Sequence, residues 1–219
     1  MTRPRLTYLD MRGIAEPIRA CFRIGGVEFD DVRVSYEDVR RLRKSDALPF
    51  GQVPTLELDG RVYAQSGAIL RCVGRMTGLY PNDEEVDARL RVDAILDAVR
   101  DINQILSPVW YHNVFPRTEG ELREETHLEE EEMERIVHLV NTVMLPSRVK
   151  QIEKFLATSS VEGPFVCGSK LSIADLSLHR LLTGLGGNGD YCDGARVSEL
   201  PPRLASLVEA VERVDGVMS

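Results

Sequence analysis

Residues 54–67 read Pro54-Thr55-Leu56-Glu57-Leu58-Asp59-Gly60-Arg61-Val62-Tyr63-Ala64-Gln65-Ser66-Gly67, and they decide the fold of the first third of the chain. Thr55 to Leu58 alternates polar and apolar residues, the period of a half-buried strand. Asp59-Gly60 accepts the positive backbone angles of a tight hairpin turn, so Arg61 to Ala64 returns as an antiparallel partner. Ser66 then opens a helix through Ile69, Leu70 and Val73 to about Thr77, with Gly78 as its stop.

Upstream, Leu6-Thr7-Tyr8-Leu9 is a short strand ending at Asp10. Ala15 to Gly25 places Ile18, Cys21, Phe22 and Ile24 on one helical face behind Pro17, a residue suited to a first turn. Val27 to Val34 reads as a second strand and Tyr36 to Lys44 as a polar helix. The order β-α-β-α-β-β-α requires a parallel first pair and an antiparallel hairpin, hence a mixed four-stranded sheet.

Past Tyr80-Pro81-Asn82-Asp83 the period becomes helical throughout. Helices are expected from Glu84 to Leu106, across an acidic tract running into Leu145, and over Pro146–Leu156, Ile173–Leu185 and Pro202–Val214. Between Glu119 and Glu134 nine carboxylates face one arginine, which reads as a solvated helix face. The expected division is an α/β domain over residues 1–80 and an all-α domain over 84–219.

Composition narrows the functional classes. The 219 residues are 43% hydrophobic and 28% charged, with a formal charge of −8, which suits a soluble globular chain and opposes binding to phosphate backbones. No run approaches the ~20 apolar residues of a membrane span, and no signal core precedes the first strand. Cys21, Cys72, Cys167 and Cys192 are dispersed, as are His112, His127, His138 and His179, so neither metal spacing nor a paired-cysteine motif is present. The cysteines read as reduced thiols of a cytoplasmic protein. No nucleic-acid or membrane partner is expected.

Four local features could carry chemistry. Tyr8 ends the first strand and Asp10-Met11-Arg12-Gly13 forms the loop after it, where ligands of open α/β sheets gather. Gln52-Val53-Pro54 precedes a strand. Gln65-Ser66-Gly67 presents a hydroxyl and free amides at a helix N-terminus, suited to a carboxylate. Asp93, Asp97 and Asp101 form a stripe on the long helix. Singly, these read as a core aromatic, a strand start, an N-cap and a solvated stripe paired with Arg89, Arg91 or Arg100. Occurring together and in this order, they weaken those separate readings sharply.

In that order the sequence resembles the cytosolic glutathione transferases, most closely the sigma-like, tyrosine-type group. The resemblance is carried by residues 8–16 (YLDMRGIAE), 48–56 (LPFGQVPTL), 65–71 (QSGAILR), 92–97 (VDAILD) and 171–175 (LSIAD). It implies a thioredoxin-like first domain, an all-α second domain, a homodimer and a cis Val53–Pro54 bond. It implies glutathione as co-substrate, with no cofactor and no metal, because Arg100 stands where relatives with a cation site have an acid. Tyr8 would be the catalytic hydroxyl, stabilising the thiolate. Glutathione would be held by Tyr8, Gln52, Val53, Pro54, Gln65 and Ser66, by Asp101 from across the dimer, and by Arg43 or Lys44 at the glycyl end.

Met11, Ile14, Leu106, Trp110 and Tyr111 would line the pocket for a small hydrophobic electrophile, with residues 184–189 as a wall or surface loop. Ile14 replaces an arginine of the group and Val39 a tryptophan, which weakens any carry-over of prostaglandin isomerisation. Ser172 and Asp175 would form a capping box, with the Ser172 side chain receiving the Asp175 amide. The implied activity is conjugation of glutathione to small apolar electrophiles. The alternatives are a glutathione-dependent isomerase or peroxidase, and a non-catalytic crystallin-like or carrier homodimer. A thioredoxin-type redox enzyme is disfavoured, since no cysteine occupies the Tyr8 loop.

Overall fold

The computed structural model describes residues 2–114, 129–185 and 194–217, with the backbone alone over 111–114. Strand β1 (Arg5–Leu9) lies at the centre of a four-stranded sheet of order β2-β1-β3-β4. It pairs in parallel with β2 (Asp30–Val34) and antiparallel with β3 (Thr55–Leu58), which turns into β4 (Arg61–Ala64). The central position explains why Leu6, Tyr8 and Leu9 are all buried. A short 3₁₀ turn (Gly13–Ala15) leads into α1 (Glu16–Ile24), with Pro17 in its first turn. Helix α2 (Tyr36–Lys44) starts at a reciprocal cap, in which the Ser35 hydroxyl accepts from the Asp38 amide and the Asp38 carboxylate accepts from the Ser35 amide. Helix α3 (Ser66–Thr77) ends at Gly78, whose left-handed conformation (φ 74°) closes it. The mixed sheet and its helices form the expected thioredoxin-like unit.

The second half is helical. Helix α4 (Val86–Val114) extends beyond the expected end at Leu106 and runs through Pro108. A proline there cannot bond the Gln104 carbonyl, so the helix loses one rung beside the cavity described below. Next come α5 (Glu130–Leu139), a π-helical turn (Val140–Met144) and α6 (Leu145–Ala157), which form one continuous rod. The expected fresh start at Pro146 is therefore not a chain break. The widened turn makes room for a ring that would otherwise strike the preceding turn of an α-helix. Helix α7 (Ile173–Leu185) is buried over nearly its whole length, and α8 (Pro202–Glu212) packs beside it. Residues 119–128 of the acidic tract, with His127, and residues 186–193, with Cys192, lie outside the described residues. Among the described residues no helix is long and apolar enough to cross a membrane, and Cys21, Cys72 and Cys167 are free thiols.

The halves are joined by specific contacts. Arg71 on α3 donates to Asp93 on α4 at 2.7 Å, and the Tyr80 hydroxyl donates to the same carboxylate at 2.9 Å. A Cβ on Gly74 would meet Ile173 at 2.7 Å, so only glycine lets α3 approach α7 this closely. Arg23 on α1 donates to the Gly216 carbonyl at 2.8 Å.

The start of α7 departs from expectation in its bonding. The Ser172 hydroxyl donates to the Asp175 carboxylate (2.7 Å) rather than accepting the Asp175 amide, which bonds the Ser172 carbonyl (3.1 Å). The same carboxylate accepts the amides of Ser172 (2.8 Å) and Val166 (2.7 Å). It thus fixes both the helix start and the loop before it.

Burial raises the Asp175 pKa from 3.8 to about 6, against the lowering effect of these donors. Between those values the folded state keeps a proton that the unfolded chain has released, so this group's contribution falls as pH rises. The unfolding free energy of the wild type minus that of Asp175→Asn should drop by about 2 kcal/mol from pH 4 to pH 7. Denaturant titration at several pH values checks this; a difference that grows with pH would refute it.

Candidate functional site

A cavity of about 550 Å³ opens where the end of β1, α2, the segment before β3 and the middle of α4 meet. Its floor is Tyr8, 5% exposed, at the carboxyl end of the central strand. The turn after β1 seats the phenol. Gly13 adopts φ +44°, and a Cβ placed on it would lie 2.5 Å from the Tyr8 hydroxyl oxygen. A side chain at 13 would therefore displace the phenol as well as strain the turn.

Beneath that turn lies Arg19, which is fully buried. Its Nη1 donates to the carbonyls of Met11 (2.9 Å) and Arg12 (3.1 Å), and its Nε to Asp31 (2.9 Å). Its guanidinium carbon is 5.7 Å from the Tyr8 ring centroid, within cation–π range. One side chain thus ties α1, β2, the loop and the phenol together.

Burial pushes the Tyr8 pKa up to about 12; the Ile14 amide and the charges of Arg19 and Arg180 pull the other way without prevailing. The hydroxyl therefore keeps its proton at any physiological pH. It is a hydrogen-bond donor, and it is not a base.

The other expected residues separate into two groups. Met11, Ile14, Leu106 and Trp110 line the cavity, as do Gln52 and Val53. Val53–Pro54 is a cis peptide bond. Arg43 lines the wall, its Nε donating to the Gly51 carbonyl at 2.8 Å, whereas Lys44 is exposed and is not part of the lining. Pro54 is buried behind Val53 and is not part of the lining either.

Gln65 and Ser66 stand at the start of α3, apart from the lining, with Gln65 held at φ 73°. A non-glycine residue in that conformation stores local strain, a property frequent at binding positions. Asp101 faces the opposite side of α4, beside a smaller cavity of about 160 Å³ shared with Ala94, Ala98, Arg148 and Phe155. Its carboxylate has no ion-pair partner among the described residues, while Asp93 and Asp97 are both engaged by Arg71. The Tyr111 side chain lies outside the described residues.

Sequence reasoning missed Tyr36, Arg40, Asn103 and Ser107, all of which line the cavity. A signal was available. Tyr36, Val39, Arg40 and Arg43 on α2, like Asn103, Leu106, Ser107 and Trp110 on α4, follow the spacing of a single helix face.

Comparison with known proteins bears on this architecture. The family model "Glutathione S-transferase, N-terminal domain" matches residues 4–75, and "Glutathione S-transferase, C-terminal domain" matches residues 123–219. Glutathione S-transferase 1 of Ascaris suum is 36% identical over 80% of this chain and 77% of its own length. Glutathione S-transferase 4 of Caenorhabditis elegans is 32% identical over 94% and 92%. Among solved structures, the glutathione S-transferase from Ascaris lumbricoides superposes with a TM-score of 0.71 at 28% identity, covering 98% of this chain and 94% of that one. Monomeric Na-GST-3, a glutathione S-transferase of the hookworm Necator americanus, gives 0.73 at 26%, covering 99% and 94%.

The contact between Gly13 and Tyr8 yields a test that needs no ligand. Gly13→Ala should destabilise the fold by about 2–4 kcal/mol, from the backbone strain and the clash together. In a Tyr8→Ala background the same substitution should lose markedly less, because only the strain remains. Equal losses in both backgrounds, by denaturant titration of the double-mutant cycle, would show that the phenol does not rest on Gly13.

Proposed function

The chain belongs to the glutathione S-transferase family, and on that premise we propose that its cavity binds glutathione, ionises the thiol against Tyr8 and passes the thiolate to small apolar electrophiles. The observation that carries this reading is the buried Tyr8 hydroxyl at the cavity floor, seated against Gly13. A free thiol of this kind has a pKa of about 8.5 and is mostly protonated at pH 7. A donor aimed at the sulfur stabilises the ionised form, and one charge-assisted hydrogen bond suffices for a shift of about one unit. The thiol proton passes to solvent, and the thiolate then forms a carbon–sulfur bond as the electrophile either releases its leaving group or gives up a carbon–carbon π bond and takes a proton from water; no covalent enzyme intermediate intervenes.

In this reading the tripeptide lies along the strand ends. Val53 pairs its backbone with the cysteinyl unit in the manner of an added strand. Gln52 and Arg43 hold the glycyl carboxylate, and the placement of Arg43 on the cavity wall favours it over Lys44. Gln65 and Ser66 hold the γ-glutamyl carboxylate at the N-terminus of α3, where the helix dipole assists. Met11, Ile14, Leu106 and Trp110 provide the apolar side for the second substrate.

The same reading includes a homodimer in which Asp101 of one copy meets the γ-glutamyl amine in the other. Two features favour it: a carboxylate without an ion-pair partner among the described residues, turned away from the large cavity, and a set of uncovered apolar side chains. Phe50 is 65% exposed on the cavity rim, with Val62 and Tyr63 on β4, Met76 on α3 and Leu90 on α4 also exposed. A partner copy would cover apolar side chains that are otherwise left to solvent. Domain limits of 1–80 and 84–219 complete the proposal.

The thiolate absorbance of bound glutathione against pH tests the mechanism. The wild type should show a thiol pKa about one unit or more below the free value, and Tyr8→Phe should return it towards that value, with roughly tenfold slower conjugation near pH 6.5. Bound glutathione with an unshifted thiol would refute the mechanism and favour a carrier. For the assembly, Phe50→Asp should shift the mass by light scattering from dimer towards monomer. A wild type that is already monomeric at micromolar concentration would overturn the composite site.

A further inference from the structure

We propose that Arg180, carried on α7 from the helical half, is a positioning residue for Tyr8. Its guanidinium holds the Gly13 carbonyl of the turn on which the phenol rests, and it places a permanent positive charge near the atoms where the thiol ionises. The inference deepens the glutathione reading and rests on it.

Burial is the first observation. Arg180 is only 3% exposed, on a helix whose neighbouring positions Leu176, Leu178, Leu181 and Leu182 are apolar and equally buried. An apolar side chain would pack there without the desolvation penalty of a guanidinium, which cannot shed its proton.

Reach is the second. Arg180 Nε donates to the Gly13 carbonyl at 3.4 Å, across the junction between the two halves of the chain. Gly13 is the residue against which the Tyr8 hydroxyl packs, and the carbonyls before it, of Met11 and Arg12, are held by Arg19. Two buried cations from two separate elements therefore grip three successive carbonyls of one turn. The Gly13 carbonyl also accepts the Glu16 amide at the start of α1, so Arg180 adds a second donor to it, this one from the helical half of the chain.

Charge is the third. Arg19 and Arg180 both act on Tyr8 in the direction that favours negative charge. A field that favours a phenolate also favours a thiolate hydrogen-bonded to the phenol, and it is weakly screened because its sources are buried. Among the described residues, the titratable and charged groups around this point are Tyr36 on α2, Arg12 before the turn, Glu16 and Arg19 on α1, Asp31 on β2 paired with Arg19, His179 beside Arg180, and Glu212 on α8. Burial lowers the His179 pKa, against the raising effect of Glu212 beside it.

The experiment measures the thiol pKa of bound glutathione, by thiolate absorbance, in the wild type and in Arg180→Met, Arg180→Gln and Arg180→Lys. Met and Gln, both uncharged, should raise it by about half a unit to one unit, leaving three- to tenfold less thiolate near pH 6.5, and Lys should restore most of the difference. Conjugation by the Met and Gln variants should approach the wild-type rate above pH 9, where the thiol ionises unaided. Should Met not fold, Gln and Lys carry the comparison. An unchanged thiol pKa in Met or Gln, with loss confined to thermal stability or spread evenly over pH, would overturn the role of Arg180 alone. A wild type without a depressed thiol pKa would overturn the glutathione mechanism and this role with it.

Discussion

The buried guanidinium of Arg19 is the constraint on which the rest of the site depends. An arginine with no exposure needs its donors satisfied from within the protein. Through Nε and Nη1, Arg19 takes Asp31 from β2, the carbonyls of Met11 and Arg12 from the loop, and Glu16 from its own helix, while its Nη2 has no hydrogen-bond partner among the described residues. Those bonds can be made together only if α1, β2 and the loop after β1 hold one relative arrangement. That arrangement brings Gly13 under Tyr8. Removing either side of such a network would leave an uncompensated buried charge, so the loop is fixed far more firmly than its length and exposure suggest.

The second half of the chain adds to this rigidity through a parallel device. Asp175 gathers the amides of Ser172 and Val166 and so fixes where α7 begins. From that starting point the helix carries His179 to Glu212 and Arg180 to Gly13 at set rotations. An error of one residue in the helix start would turn Arg180 by about 100° and aim it elsewhere. Capping and site geometry are thus one problem here. Helix α4 divides similarly by face: Asn103, Leu106, Ser107 and Trp110 look into the large cavity, while Ala94, Ala98 and Asp101 look into the small one.

What the sequence made legible is what short-range chemistry determines. The Asp59-Gly60 hairpin, the helix over Ser66–Thr77 and the mixed sheet follow from turn residues and periodicity, and each stands as read. The limits of α4 and the continuity of α5 with α6 did not follow, because prolines at 108 and 146 signal helix ends locally. A missing rung and a π-turn, stabilised by tertiary packing, absorb them instead. Tyr8, Gln52 and Val53 could be singled out because their segments carry a strong resemblance. Tyr36, Arg40, Asn103 and Ser107 could not, since a polar residue on an amphipathic helix looks the same whether its face meets water or a cavity. The choice between Arg43 and Lys44 is of this kind too, as adjacent helical residues differ by about 100° and only the packing of α2 orients them.

Burial and charge oppose one another at Tyr8, and the opposition suits the proposed chemistry. Desolvation alone would give a phenol that holds its proton but sits in surroundings hostile to any anion, including a thiolate. Cations alone would ease ionisation of the phenol itself and turn the donor into a competing anion. Here desolvation wins for the phenol, whose pKa stands near 12. The sulfur would sit farther out, in the open cavity, where the desolvation penalty is smaller and the cationic bias of Arg19 and Arg180 still reaches. In the proposed chemistry, the difference in depth between the hydroxyl and the cavity would let one local field keep the proton on oxygen while favouring its loss from sulfur.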